Sequence, residues 1–331
     1  MQKDLISVVV PCYNASSYIQ DCFDSVDSQT YKNFEVIFVN DGSQDNTLQL
    51  LNEYCASHHN SVVVNQPNLG PSMARNAGLN KATGEYVYFY DSDDILSQYM
   101  LEILHTNIIK YKADISVVRY KRVGEHYHME RTKKHRPTNN VQEYDQQGTL
   151  LKVFRCGLLL EVSVWNKLYK HIILKQIKTY PNVFNPQIKC GEDIEFNYKY
   201  LKYSKKGVFS DAVCYCYRQH KSSIVHNGFN EEKLTDFIGL NYVERDCHQN
   251  FPEVELYIKG WKSSVCVAML WSIFLSDYDD KDKITRLFDN FKDNLACIPL
   301  GKNNSKLLRV VTPCAYPLLK LGLAKRLHFK E

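Results

Sequence analysis

Short runs of apolar residues, each closed by residues that favour turns, recur through the first third of the chain. Leu5–Val10, Glu35–Val39, Ser61–Val64, Glu85–Tyr90 and Asp114–Val118 are rich in β-branched or aromatic side chains. A strand with one wet face alternates polar and apolar positions. A strand covered on both faces is apolar nearly throughout, so these runs predict buried strands. Between them the apolar period lengthens to that of a helix. Ile19, Cys22, Phe23 and Val26 share a stripe behind Ser16 or Ser17, either of which can cap the helix. Asp45-Asn46 opens a second helix through Leu48, Leu51 and Tyr54, and Gln98 to Lys112 covers a further one. Pro71 suits the first turn of the helix between those two, where a missing N–H leaves no bond unmade. Strands and helices alternating over short connections predict βαβ units and a mostly parallel sheet flanked by helices, an α/β fold.

The middle of the chain is less regular. Tyr120 to Gly148 is polar, carries a basic run from Arg131 to Arg136, and reads as a hairpin plus a loop. Helical pattern returns over Leu150–Phe154 and Asp193–Tyr203, and Val208–Tyr217 reads as a strand. Beyond about His226 the texture is helical, over Glu231–Asn250, Glu253–Ser276 and Lys281–Leu295. Two domains are therefore expected, residues 1–228 and 229–331, in keeping with about 100–200 residues per domain for a chain of 331. Trp261–Leu275 is apolar but contains Lys262, and falls short of the ~20 apolar residues of a membrane span, so it is expected to be a core helix.

Composition narrows the class. Hydrophobic residues at 44% and charged residues at 24% exclude a disordered, collagen-like or polytopic membrane chain. The net charge of +4 is too small to indicate nucleic acid as a partner. The 11 cysteines are odd in number and scattered from Cys12 to Cys314 without a Cys-x-x-Cys pair, which argues against zinc or a disulfide framework. Met1 to Asp4 lead straight into the first apolar run without a signal peptide, so a cytoplasmic location is expected.

In an open parallel sheet, ligands bind beyond the carboxyl ends of the strands. Four polar clusters follow the first four predicted strands: Pro11-Cys12-Tyr13-Asn14, Asn40 to Thr47, Asn68 to Gly78, and Asp91-Ser92-Asp93-Asp94. The fold would bring all four to one rim. The acidic cluster repels itself unless a cation or donors compensate, and oxygen ligands of this kind suit Mg²⁺ or Mn²⁺ shared with a phosphate; Asp93 or Asp94 can equally cap a following helix. Asp41 is placed to accept from a base imide, Tyr13 offers a flat ring over Pro11, and Arg75 can pair with phosphate or with the acidic cluster. Nucleotide binding is the sum. Neither Gly-x-Gly-x-x-Gly nor Gly-x-x-x-x-Gly-Lys-Ser/Thr occurs, which removes the dinucleotide and P-loop readings.

These segments, from Ser7-Val8-Val9-Val10-Pro11 through Asp41-Gly42-Ser43 and Gly70-Pro71-Ser72-Met73-Ala74-Arg75-Asn76-Ala77-Gly78 to Asp91-Ser92-Asp93-Asp94, resemble the family 2 glycosyltransferases of GT-A fold over roughly the first 225 residues. The resemblance implies inverting transfer from a nucleotide-diphospho sugar, most often UDP-linked. It implies that Pro11, Tyr13 and Asp41 hold the base with Arg75 beside it, Asn14 and Ser72 lying in the same motifs. Asp91 and Asp93 would be the DxD pair touching ribose and a divalent metal (Mn²⁺ or Mg²⁺), with Asp94 the alternative ligand. Gly191-Glu192-Asp193 matches the family's acidic pair at a helix start. Asp193 is the candidate base and Glu192 its neighbour, although both acids also suit a helix N-terminus. Val164-Trp165-Asn166-Lys167 resembles the segment before the base, with Trp165 for a sugar face and Lys167 for a charge role. Tyr217-Arg218-Gln219-His220-Lys221 resembles a loop over the diphosphate, in which Arg218, His220 or Lys221 would bind phosphate and His220 could complete the metal shell.

The tail from Lys302 to Glu331 interleaves basic and aliphatic residues and reads either as a helix touching anionic lipid at the inner face of the cell membrane or as a packed terminal helix. The acceptor expected is a glycan or a lipid-linked sugar in polysaccharide synthesis, with a protein-linked glycan as the alternative and a homo-oligomer conceivable. Two rivals compete with this reading. A sugar-phosphate nucleotidyltransferase would carry a glycine- and basic-rich signature near the first strand, which Pro11-Cys12-Tyr13-Asn14 does not offer. A silent partner subunit would not need the intact Asp91/Asp93 and Glu192/Asp193 pairs.

Overall fold

The computed structural model describes residues 1–128, 136–155, 162–220 and 229–294. The chain divides into two compact units, residues 1–149 with 163–221, and residues 150–162 with 222–331. The expected basic tail, from Lys302 onward, lies outside the described residues, as does Lys221.

The first unit begins with β1 (Gln2–Cys12), α1 (Ile19–Asp27), β2 (Phe34–Asp41), α2 (Thr47–Ser57), β3 (Ser61–Gln66), α3 (Pro71–Lys81) and β4 (Gly84–Phe89). All four strands are parallel, in the order β3-β2-β1-β4. Ile6, Val8, Val9 and Val10 of β1 are buried, as expected for a strand covered on both faces, and each such side chain contributes roughly 1.5–3 kcal/mol. The register pairs Cys12 with Asn40 and Asp41 with Gln66, so these strands end at one level and deliver their polar clusters to one rim. α1 starts without a side-chain cap, at Ile19 behind Tyr18 rather than at the serines, and the Ser16 N–H is bonded to Asp45 instead. α3 lies close on the sheet: a Cβ on Gly78 would stand 2.3 Å from Val9 Cγ1, so only glycine permits the approach.

The chain continues with β5 (Ile95–Leu96), α4 (Met100–Lys110), β6 (Ile115–Gly124), β7 (Val141–Asp145), α5 (Gln146–Phe154), β8 (Lys167–Lys170), α6 (His171–Leu174), α7 (Glu192–Leu201) and β9 (Lys206–Gln219). Beyond β4 the sheet is mixed, in the order β8-β6-β9-β5, with β7 on β9. β8 is antiparallel to both β4 and β6, and β6 runs parallel to β9. The hairpin expected from Tyr120 to Gly148 is not formed, since β6 and β7 each pair with β9 instead of with one another. Asp91–Asp94 leads into β5 rather than capping a helix. β9 shifts register where it passes Arg119 and Tyr120, then continues to Gln219 and carries Arg218 back to the acidic turn after β4.

In the second unit a 3₁₀ turn, Glu231–Thr235, precedes α8 (Asp236–Asn250), α9 (Pro252–Phe274) and α10 (Lys281–Asn294). α9 packs against both neighbours through Ile258, Trp261, Cys266, Leu270 and Ile273, so the apolar stretch is a core helix. Lys262 within it is neutralised by Glu244 of α8, 2.5 Å away. Among the described residues no helix is long and apolar enough to cross a membrane.

Candidate active site

The rim is knit together by side chains from every strand end. Asn14, in the left-handed region at φ 47°, donates its N–H to Ser43 Oγ at 3.0 Å and accepts the Gln44 N–H through Oδ1 at 2.8 Å. Asp41 is buried. Its Oδ1 accepts from Gln66 Nε2 at 2.7 Å and Leu69 N–H at 2.9 Å, and its Oδ2 from Gly70 N–H at 2.8 Å. Asp41 thus fixes the start of α3 and keeps part of its acceptor capacity. Pro11 lies in register with Val39, and the Tyr13 ring beyond it is 48% exposed, open to a stacking partner. Ser72 is not open. Its hydroxyl donates to the Ile188 carbonyl at 3.1 Å, and it is buried, so its expected ligand role gives way to holding α3 against the 181–190 segment. Asn76 makes the same connection twice, through the Phe184 N–H and carbonyl.

Arg75 is the hub. Its Nη2 donates to Asp91 Oδ1 at 2.9 Å and its Nη1 to Glu192 Oε1; Asp193 Oδ1 stands 3.9 Å from Nη1. Phe184 lies 5.6 Å beneath the guanidinium. Of the two partners expected for Arg75, the structure gives it the acidic cluster. Burial pushes the Asp91 carboxyl above its ordinary range, and the Arg75 charge opposes the rise. Gly191 caps the start of α7, and its φ of 69° turns the chain so that Glu192 and Asp193 face this hub. Asp193 accepts the Val164 N–H through Oδ2 at 3.2 Å, while its buried Oδ1 has no hydrogen-bond partner. Burial, with the Glu192 charge next to it, raises Asp193 from 3.8 to about 7 despite Arg75.

On the other side of the turn, Asp93 Oδ2 lies 2.8 Å from His220 Nε2, and this bond raises the His220 pKa above its usual value. Asp93 is the more accessible acid of the turn, its side chain 37% exposed. Asp94 is withdrawn from the metal set. It is buried, with Oδ1 accepting the Arg218 N–H at 2.7 Å and Oδ2 the Tyr215 hydroxyl at 2.5 Å. Both oxygens staple β9 to the turn. Among the described residues no group of three or more His, Cys, Asp and Glu side chains is gathered into a complete metal shell.

Three expected ligand contacts are corrected by burial. Arg218, 2% exposed, donates Nε to the Asp93 carbonyl, Nη1 to the Glu125 carbonyl and Nη2 to Asp21 Oδ2, so its charge is spent inside the fold rather than offered to phosphate. Trp165 lies between Tyr215, at 4.2 Å, and Tyr217, at 5.8 Å, nearly parallel to both, and is buried there instead of presenting a face to sugar. Lys167 is wholly buried, its Nζ bonded to Ser163 O and Asn166 Oδ1. The partners that account for these positions, Asp21, Glu125 and Tyr215, escaped the sequence reading. Tyr215 carried a signal, since it lies two residues before Tyr217 and so on the same strand face.

Comparison with known proteins gives the family and the fold. The family described as glycosyl transferase family 2 matches residues 7–178. Glycosyltransferase GlyA of Streptococcus pneumoniae is 35% identical over 227 residues, covering 67% of this chain and 31% of GlyA. EpsH of Bacillus subtilis is 30% identical over 281 residues, covering 82% of this chain and 78% of EpsH. The chain thus spans about a third of GlyA and about four fifths of EpsH. In fold, TarS residues 1–349 of S. aureus, solved with UDP-GlcNAc, superposes with a TM-score of 0.65 at 22% identity, covering 98% of this chain and 88% of that structure. The architecture is therefore GT-A, its sheet parallel on one side of β4 and mixed on the other, and the chain belongs to glycosyl transferase family 2.

Proposed function

We propose that the chain is an inverting transferase that moves a hexose or N-acetylhexosamine from a UDP-sugar to a hydroxyl of a glycan or lipid-linked acceptor in cell-surface polysaccharide synthesis. The observation that carries this reading is Asp193. One oxygen is held, the other is buried without a hydrogen-bond partner and only 3.9 Å from Arg75, and the carboxyl is raised to about 7, where proton transfer at neutral pH is most effective. In a single displacement the acceptor oxygen bonds to the anomeric carbon as the bond from that carbon to the diphosphate breaks, and the acceptor proton passes to Asp193. Glu192 neutralises and aims Arg75, and Asp91 holds the same guanidinium from the opposite side. The open Tyr13 ring and the spare acceptor capacity of Asp41 support binding of the base, and the UDP-GlcNAc bound by TarS supports a uridine donor.

The accessible Asp93 carboxylate, with the largely buried His220 imidazole bonded to it, suits Mn²⁺ or Mg²⁺ completed by phosphate oxygens. Asp93 and His220 would hold that ion, with Asp91 adjacent. When bound, it neutralises negative charge on the departing diphosphate. A panel of UDP- and GDP-sugars, screened by thermal shift with Mn²⁺ and then by nucleotide release, tests the reading. A UDP-sugar should stabilise the protein and yield UDP, and Asp93→Ala should abolish the Mn²⁺-dependent part of the stabilisation. Absence of any nucleotide-sugar effect, or an Asp93→Ala protein identical to wild type, would contradict it.

A further inference from the structure

Lys167 opens β8 in the deepest part of the fold, where an ammonium persists only if oxygens surround it. Its Nζ donates to the Ser163 carbonyl at 2.6 Å and to Asn166 Oδ1 at 2.7 Å. Asn166 Nδ2 donates in turn to the Val118 carbonyl of β6 at 3.0 Å, and the Val118 N–H donates to the Asn166 carbonyl at 3.1 Å. The lysine thereby closes residues 163–166 into a turn braced on β6. The amide in the middle of that turn, Val164 N–H, is the donor that holds Asp193 Oδ2.

We infer that Lys167 is a positioning residue for transfer: by clamping the Ser163–Asn166 turn it fixes Asp193 by one oxygen and leaves the other to meet the acceptor hydroxyl. The inference rests on the reading of Asp193 as the base. The charged and titratable groups around Asp193 are Glu192 of α7 and Asp91 of the acidic turn, which favour its protonated form, and Arg75 of α3 and Lys167 of β8, which oppose it. Tyr169, next on β8, is held neutral by burial. Lys167 acts on Asp193 directly through its charge as well as through the turn, so the clamp itself is read from Asn166→Ala, which loosens the turn and leaves the Lys167 charge in place.

The test is carbon-13 NMR of the full chain labelled at the aspartate γ-carbon, with the Asp193 signal recognised by its loss in Asp193→Asn. Wild type should titrate at about 7. Lys167→Gln retains a donor for the Ser163 carbonyl but no charge, and should raise the midpoint by about half to one unit; Lys167→Arg, which retains the charge, should not. Asn166→Ala, a milder change that loosens the same turn, should move the midpoint in the same direction by less. In both uncharged-clamp and loosened-turn proteins, turnover should fall roughly 10-fold or more while UDP affinity is retained. A wild-type midpoint and wild-type turnover in Asn166→Ala overturn the inference, whatever Lys167→Gln does through the loss of its charge. Undiminished transfer by Asp193→Asn overturns the base reading instead, so the two failures are distinguishable.

Discussion

Replacing Asp193 with asparagine should stabilise the protein at alkaline pH while destroying its proposed chemistry. The folded-state carboxyl titrates at about 7 against 3.8 for the free side chain, because burial and Glu192 disfavour its charge more than Arg75 favours it. Between those two values the native state binds more protons than the unfolded chain, so stability falls as pH rises through the window and is level above it. Three units at about 1.4 kcal/mol each set a ceiling of ~4 kcal/mol. The side chain retains 20% exposure, so a loss of about 1–3 kcal/mol is the working figure. The amide of the Asp193→Asn variant has no proton to lose. The variant and wild type should therefore match near pH 4, and the variant should lead by that amount near pH 8. Urea unfolding followed by Trp165 fluorescence, with Trp261 and Trp271 replaced by phenylalanine, reads the catalytic unit alone. Parallel pH dependences for the two proteins would refute the reasoning.

Two further outcomes follow from packing. Arg218→Met strips three oxygens of their guanidinium donor, leaves Asp21 with only the exposed His128 beside it among the described residues and should cost about 3–5 kcal/mol in urea unfolding; a loss confined to donor affinity, with stability unchanged, would restore Arg218 to the phosphate. Gly78→Ala drives a methyl to 2.3 Å of Val9 Cγ1, so α3 must lift from the sheet; a loss of about 1–3 kcal/mol by thermal unfolding is expected, and a neutral effect would mean that α3 does not pack as described.

β1, β2 and β4 were legible because parallel strands covered on both faces are written as unbroken apolar runs. β3, at the sheet edge and partly exposed, was marked by its three successive valines, and the rim followed from the four, since residues after such strands must meet. The other half of the sheet was harder to read. β8 begins and ends on lysine, and its buried Lys167 looks like a surface residue until its oxygen partners are known. β7, Val-Gln-Glu-Tyr-Asp, is polar because it is largely exposed, and the Arg119–Arg122 part of β6 is likewise half out of the core. The acids lie together on the rim as their motifs implied, but the cations and aromatic residues were assigned outward-facing roles. Trp165 and Arg218 are among the side chains best suited to sugar and phosphate, and both are buried by partners distant in sequence: Tyr215 for the first, Asp21 and Glu125 for the second. Residue type alone does not reveal such partnerships.

Donor binding and sugar transfer, measured side by side on Asp193→Asn, test the central claim most directly. The variant should bind UDP-sugar within about threefold of wild type and transfer it roughly 100- to 10,000-fold more slowly. Turnover at the wild-type rate would contradict the account, because the proton would then be leaving by another route.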